Sequence, residues 1–103
     1  MDGQRFAFHG YLPVKPEARA AALRALEQDS RRERRAHLFI ETPYRNVVLL
    51  QALAATLAPA TQVCIAVDLT LDTETIERRS AREWRSADKA RFDKRPAVFV
   101  LQA

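Results

Sequence analysis

The sequence predicts an α/β fold: a mixed sheet of about five strands with helices packed on it, in the order β-α-β-α-β-β-α-β. Three observations predict it. Short apolar runs, "RFAFHGY", "AHLFIE", "QVCIAVDLT" and "RPAVFVL", recur along the chain, with helix-periodic stretches after the first two. Helix-start signals follow those same two runs: Pro16 with Glu17, and Thr42 before Pro43. The 103 residues are 48% hydrophobic with no linker or low-complexity tract, so residues 1–103 form one domain.

The aromatic alternation at Phe6 and Phe8 reads as a strand ending at Gly10–Pro13. Pro16 has its φ preset for a first helical turn, and Glu17 lies beside the positive end of the dipole. The alanines from Ala18 to Ala25, with Leu23 and Leu26, give an apolar face, so this helix runs from Pro16 to Asp29 or a little beyond. Leu38, Phe39 and Ile40 form an unbroken apolar run, the pattern of a central strand covered on both faces. Thr42 is the expected N-cap of the next helix, which carries Val47, Val48, Leu50, Leu53, Ala54 and Leu57 and stops at Pro59. A third strand in "QVCIAVDLT" and an exposed fourth in "DTETIERRS" follow. Ser80 then caps a short helix, with Glu83 at the capping-box position. "RPAVFVLQA" closes the sheet.

Composition excludes several classes. Two glycines cannot build a glycine-rich phosphate loop. The longest apolar runs are far shorter than the ~20 residues of a membrane span, and no secretory signal precedes them. Cys64, the single cysteine, reads as a buried strand residue, and the acids show no metal-ligand pairing. A reducing cytoplasm fits that cysteine usage. His9 and His37, the only histidines, read as strand residues without a triad partner at a telling spacing. No residue stands out as a general base or nucleophile, which argues against a self-contained enzyme. The net charge of +4 comes from 17 basic residues mixed with 13 acidic ones, and only "RRERR" (residues 31–35) is dense. That run suits a helix C-terminus, or a surface for RNA or another anionic partner.

The loops after the strands are less bland. In α/β sheets ligands gather at the C-terminal ends of strands, where "ETPYR" falls. Glu41 can accept hydrogen bonds there and Arg45 can pair with a carboxylate or phosphate. The plainer alternative is that Glu41 complements the helix N-terminus and pairs with Arg45 one turn on.

Four segments in order, "FAFHGYLPVK", "LFIETPYR", "AVDLTLDTETI" and "RPAVFVL", resemble the C-terminal domain of the tetrapyrrole methylase superfamily of S-adenosylmethionine-dependent methyltransferases. The resemblance is nearest to the branch that methylates ribose 2′-hydroxyls of small-subunit ribosomal RNA. That branch carries Gly-Phe-Leu-Pro-x-Lys, seen here from Gly10 to Lys15, and Glu-(Ser/Ala)-Pro-His-Arg, seen here from Glu41 to Arg45. Its Arg-Glu-Leu-Thr-Lys segment survives only as Val67-Asp68-Leu69-Thr70-Leu71, with both cations replaced by apolar residues. The implied RNA contact is therefore weakened at those positions.

The resemblance implies an S-adenosylmethionine pocket lined by backbone near Glu41, Thr42, Leu69, Pro96 and Ala97. It implies substrate contact by Lys15, Tyr44 and Arg45, and a homodimer. It also implies a missing N-terminal methyltransferase domain that completes the cleft, with Met1-Asp2-Gly3 as an artificial start and no activity in this half alone. The methyl acceptor stays open among a tetrapyrrole, an RNA ribose and another metabolite. The alternative is a non-catalytic basic α/β module that binds RNA or another anion, with "RRERR" as its contact.

Overall fold

The computed structural model describes residues 5–103; Met1, Asp2 and Gly3 lie outside the described residues. Strand β1 (Phe6–Tyr11) leads into helix α1 (Pro16–Glu33), strand β2 (Ala36–Ile40) and a 3₁₀ turn (Pro43–Arg45). Helix α2 (Asn46–Thr56) and strands β3 (Gln62–Val67) and β4 (Thr75–Ser80) follow. Helix α3 (Ala81–Trp84), a second 3₁₀ turn (Ala90–Phe92) and strand β5 (Ala97–Gln102) complete the chain. The sheet order is β1-β2-β5-β3-β4. The β1–β2 pair is parallel, and β5 lies antiparallel between β2 and β3, so β1, β2 and β3 point the same way. No helix among the described residues is long and apolar enough to cross a membrane.

Local chemistry accounts for the boundaries. Pro16 opens α1, and the helix ends on Arg34 in the left-handed region (φ 55°). The expected Thr42 cap is displaced: Thr42–Pro43 begins the 3₁₀ turn, and the α-helix starts at Asn46 without a side-chain cap from Thr42. Ser80 and Glu83 make the full capping box of α3, at 3.1 and 2.9 Å.

Side chains alternate across the sheet. Phe39 of β2, Val63, Ile65 and Val67 of β3, and Phe99 and Leu101 of β5 point into one core with Leu23 of α1, Leu49, Leu50 and Leu53 of α2, and Trp84 of α3. Phe39 stacks on Phe99 at 5.9 Å, and the Trp84 indole donates to the Val63 carbonyl at 2.9 Å. Two buried polar side chains tie α1 to the rest. Glu27 accepts from the Ala58 amide at 2.8 Å and from Thr61 Oγ1 at 2.5 Å, and Ser30 Oγ accepts from the Ala103 amide at 2.9 Å.

All three helices therefore cover the same face, which corrects the expectation that β2 is covered on both. Leu38 and Ile40 point the other way and are only half-buried, beside Val98 and Val100 of β5 and Cys64 and Ala66 of β3. Phe6 and Phe8 at one edge and Ile76 at the other extend this apolar face, each 60–61% exposed. Cys64 sits on this open face and is not fully buried, again against expectation. Partial burial still pushes its thiol pKa up, which keeps it a poor nucleophile.

Candidate functional site

Because β1, β2 and β3 are mutually parallel, their C-terminal ends meet at one edge of the sheet, together with the starts of the antiparallel β4 and β5. That edge collects the candidate site residues that the resemblance implies. Lys15 follows β1, Glu41–Arg45 follow β2, Leu69 lies in the β3–β4 loop, and Pro96–Ala97 open β5. Leu69, Pro96 and Ala97 line a cavity of about 310 Å³ with Ala66, Asp68, Leu71 and Val98. Its volume lies at the small end of ligand pockets, and its walls are mostly apolar. Glu41, Thr42, Lys15, Tyr44 and Arg45 are not among its lining residues.

Among the described residues, three of the four non-glycine residues with positive φ belong to this edge: Asp68 at 53°, Thr70 at 70° and Lys94 at 60°. Such conformations persist where surrounding bonds over-determine them. The bonds are present. The Asp68 amide donates to the Pro96 carbonyl at 3.0 Å, and Arg95 Nε donates to Asp68 Oδ2 at 2.9 Å. Thr73 Oγ1 reaches the same oxygen at 2.9 Å, and Arg95 Nη2 donates to the Thr73 carbonyl at 2.6 Å. The Thr73 hydroxyl and then Arg95 hold the Asp68 carboxyl below the usual carboxylate range, so it stays charged. Asp68 is thus a loop anchor.

The other wall is fastened by Asn46, a residue the sequence reading passed over. Its buried amide donates to the Phe92 carbonyl at 2.8 Å and to the Arg95 carbonyl at 2.6 Å, while the Lys94 amide donates to the Pro43 carbonyl at 3.1 Å. A polar residue heading the largely apolar helix "NVVLLQALAAT", whose other polar residues are Gln51 and Thr56, was the available signal.

The "ETPYR" turn shows the plainer arrangement. Glu41 is buried and accepts from the Thr42 amide at 2.8 Å, and Arg45 Nη1 lies 3.9 Å from Glu41 Oε1. The Thr42 carbonyl accepts from the Arg45 amide at 2.8 Å, so both backbone groups of Thr42 are engaged within the turn. Tyr44 is 77% exposed and Lys15 is exposed. In "RRERR", Arg32 and Arg35 are held in ion pairs with Asp29, and Arg32 also with Glu33, so only part of that run faces solvent unpaired. No group of three or more metal-ligating side chains occurs among the described residues. A second depression, about 350 Å³, borders α2, but its arginine, Arg85, is engaged by the carbonyls of Ala54 and Leu57.

No protein-family model matches the chain. It is 32% identical over 101 residues to ribosomal RNA small subunit methyltransferase I of Escherichia coli O157:H7, covering 98% of this chain and 34% of that protein. Among solved structures it is similar to the methyltransferase CobJ (TM-score 0.57, 17% identity, covering 97% of this chain and 41% of that one). It is also similar to the cobalamin biosynthetic enzyme cobalt precorrin-4 methyltransferase, CbiF (TM-score 0.58, 12% identity, 96% and 40%). A third is uroporphyrin-III C-methyltransferase from Thermus thermophilus, solved with S-adenosyl homocysteine (TM-score 0.50, 12% identity, 99% and 44%). The chain thus spans about a third of the length of its curated relative and under half of these structures. The ordered motifs, the match to the curated relative and the shared mixed five-stranded fold agree: the chain resembles the C-terminal domain of the tetrapyrrole methylase superfamily.

Proposed function

We propose that this chain is the cofactor- and substrate-binding C-terminal domain of an S-adenosylmethionine-dependent methyltransferase, inactive until an N-terminal domain closes the cleft. The observation that carries this reading is the apolar cavity at the C-terminal strand edge, walled by Leu69, Pro96 and Ala97. The residues fit one side of such a cofactor. Apolar walls suit a flat heterocycle, and the opening on the far side leaves room for a second wall. Bound there, the cofactor would supply an electrophilic methyl group. The chain's part is to bind and orient, which is where much of the acceleration of a direct transfer arises. Lys15, Tyr44 and Arg45 lie on the same edge and form the acceptor side. Val67 is fully buried and Leu71 is 59% exposed beside the cavity. At Leu71 the acceptor rim therefore lacks one cation of the RNA-methylating branch, which favours a less anionic acceptor than an RNA backbone. The cellular place is the cytoplasm, where an unpaired Cys64 stays reduced.

The test is calorimetric titration with S-adenosylhomocysteine. The ligand is added to the chain alone and to the chain joined behind the N-terminal domain of the E. coli relative. Binding by the joined protein supports the reading, and its absence sinks it. In that joined protein, Lys15→Ala with Arg45→Ala is expected to cut turnover by roughly tenfold or more while leaving cofactor affinity and folding unchanged. Unaltered turnover would remove both residues from the acceptor side.

We also infer that the open apolar face is covered in a dimer of two copies. Flat apolar sheet faces of this extent are rarely left to water. Sedimentation velocity is expected to show concentration-dependent self-association that Val100→Lys abolishes. A monomer at all concentrations, or a dimer indifferent to Val100→Lys, would assign the face to another cover.

A further inference from the structure

Away from the cavity, Asp29 of α1, His37 of β2 and His9 of β1 stand in a row that the proposed activity does not use. Arg35 grips Asp29 through two bonds, 2.7 and 2.9 Å, and Arg32 adds a third at 3.3 Å. His37, 2% exposed, places Nε2 2.7 Å from Asp29 Oδ2, off the line of a conventional hydrogen bond. On the other side of the ring, its Nδ1 lies 2.6 Å from Nε2 of the exposed His9. These are the charged and titratable groups around the pair: Asp29 and Arg32 on α1, Arg35 in the turn before β2, and the two rings themselves.

A hydrogen bond between two imidazoles needs one donor and one acceptor. The carboxylate beside His37 Nε2 favours the N–H there, which leaves Nδ1 as the acceptor and His9 Nε2–H as the donor. With a single proton on the pair, one ring still donates and the other still accepts, so the bond stands. A second must go to His37 Nδ1, the acceptor itself. Two N–H groups and two charges then face each other, and the bond is lost. Burial of His37 opposes that step and lowers its pKa below the ordinary 6.5, with Asp29 pulling partly the other way and His9 adding to the fall.

We propose that the His9–His37 bond is a pH-sensitive latch that holds the edge strand β1 on the sheet and lets its C-terminal half go when the pair takes a second proton. The strand is built for such release. Among the described residues β1 is an edge strand paired only with β2, its register breaks between Phe8 and Tyr11, and Gly10 sits at φ 67°. The direction follows from proton linkage. Below 6.5 the unfolded chain binds protons that folded His37 refuses. The latch's stability is therefore full above pH 6.5 and is lost as pH falls from there toward the lowered value of His37.

The experiment is amide hydrogen exchange of Phe8–Tyr11, referenced to the core amides of α2, at about pH 7.5 and about pH 5. The β1 protection ratio is expected to fall about tenfold in the wild type, the size of one lost hydrogen bond. It should stay level in His9→Gln, whose amide can donate to Nδ1 or accept from it. Protection that follows α2 at both pH values, or that falls equally in His9→Gln, overturns the latch. So does an NMR titration in which the two wild-type rings protonate independently of each other.

Discussion

Asn46→Leu is expected to lower the unfolding free energy by about 3 kcal/mol, read as a drop in the urea midpoint at constant slope. The side chain is fully buried, and its amide satisfies two carbonyls from the loop before β5. Leucine has the same branched four-atom side chain and is bulkier, so none of the loss is cavity. The cost is two backbone carbonyls left without a donor, each about 1–3 kcal/mol, offset in part because Asn46 Oδ1 itself has no partner. For a domain of this size that is roughly 15 °C in Tm. The consequence reaches beyond stability, because the Phe92 and Arg95 carbonyls position the strap that carries Pro96 into the cavity wall. A loss under about 0.5 kcal/mol would mean that water serves both carbonyls, and that the strap is held by Arg95 and Lys94 alone.

Much of this arrangement was readable in the chain, and the reasons for the exceptions are specific. Local signals worked where the physics is local. Pro16 with Glu17 opens α1, Ser80 with Glu83 forms the capping box of α3, and the apolar runs "QVCIAV" and "AVFVLQ" yield strands. Sheet order did not follow, because nothing in "RPAVFVL" says that it inserts between β2 and β3. The run Leu38–Phe39–Ile40 was apolar on both sides, but a covered face and a face awaiting a cover use the same residue types. The loop geometry was hidden because positive φ falls on Asp68, Thr70 and Lys94, where glycine would have announced it. His9, Asp29 and His37 lie 20 and 8 residues apart in sequence, and only the parallel pairing of β1 with β2 and the length of α1 bring them together. Convergence of Lys15, Glu41–Arg45, Leu69 and Pro96–Ala97 on one edge was implied by the family motifs. Its physical cause, three parallel strands ending together, became visible only with the topology.

Leu69→Glu is expected to weaken S-adenosylhomocysteine binding by about a hundredfold in the two-domain protein, roughly 2.7 kcal/mol, with unfolding free energy changed by less than about 0.5 kcal/mol. The asymmetry follows from where the side chain sits. Leu69 is 44% exposed in the free domain, so a carboxylate there stays hydrated and costs the fold little. A ligand seated against Pro96 and Ala97 would strip that hydration, and no cation lines the cavity to replace it. Arg95, the nearest basic residue by bonding, is engaged by Asp68, the Thr73 carbonyl and the Arg91 carbonyl. Leu69→Met, which keeps an apolar surface of similar volume, should bind within a few-fold of the wild type. If Leu69→Glu binds normally while the double variant at Lys15 and Arg45 still loses turnover, the cofactor lies nearer the "ETPYR" turn, and the cavity belongs to the acceptor. If both variants behave as the wild type, the strand edge is not the site, and the strained loop at Asp68–Thr70 needs another explanation.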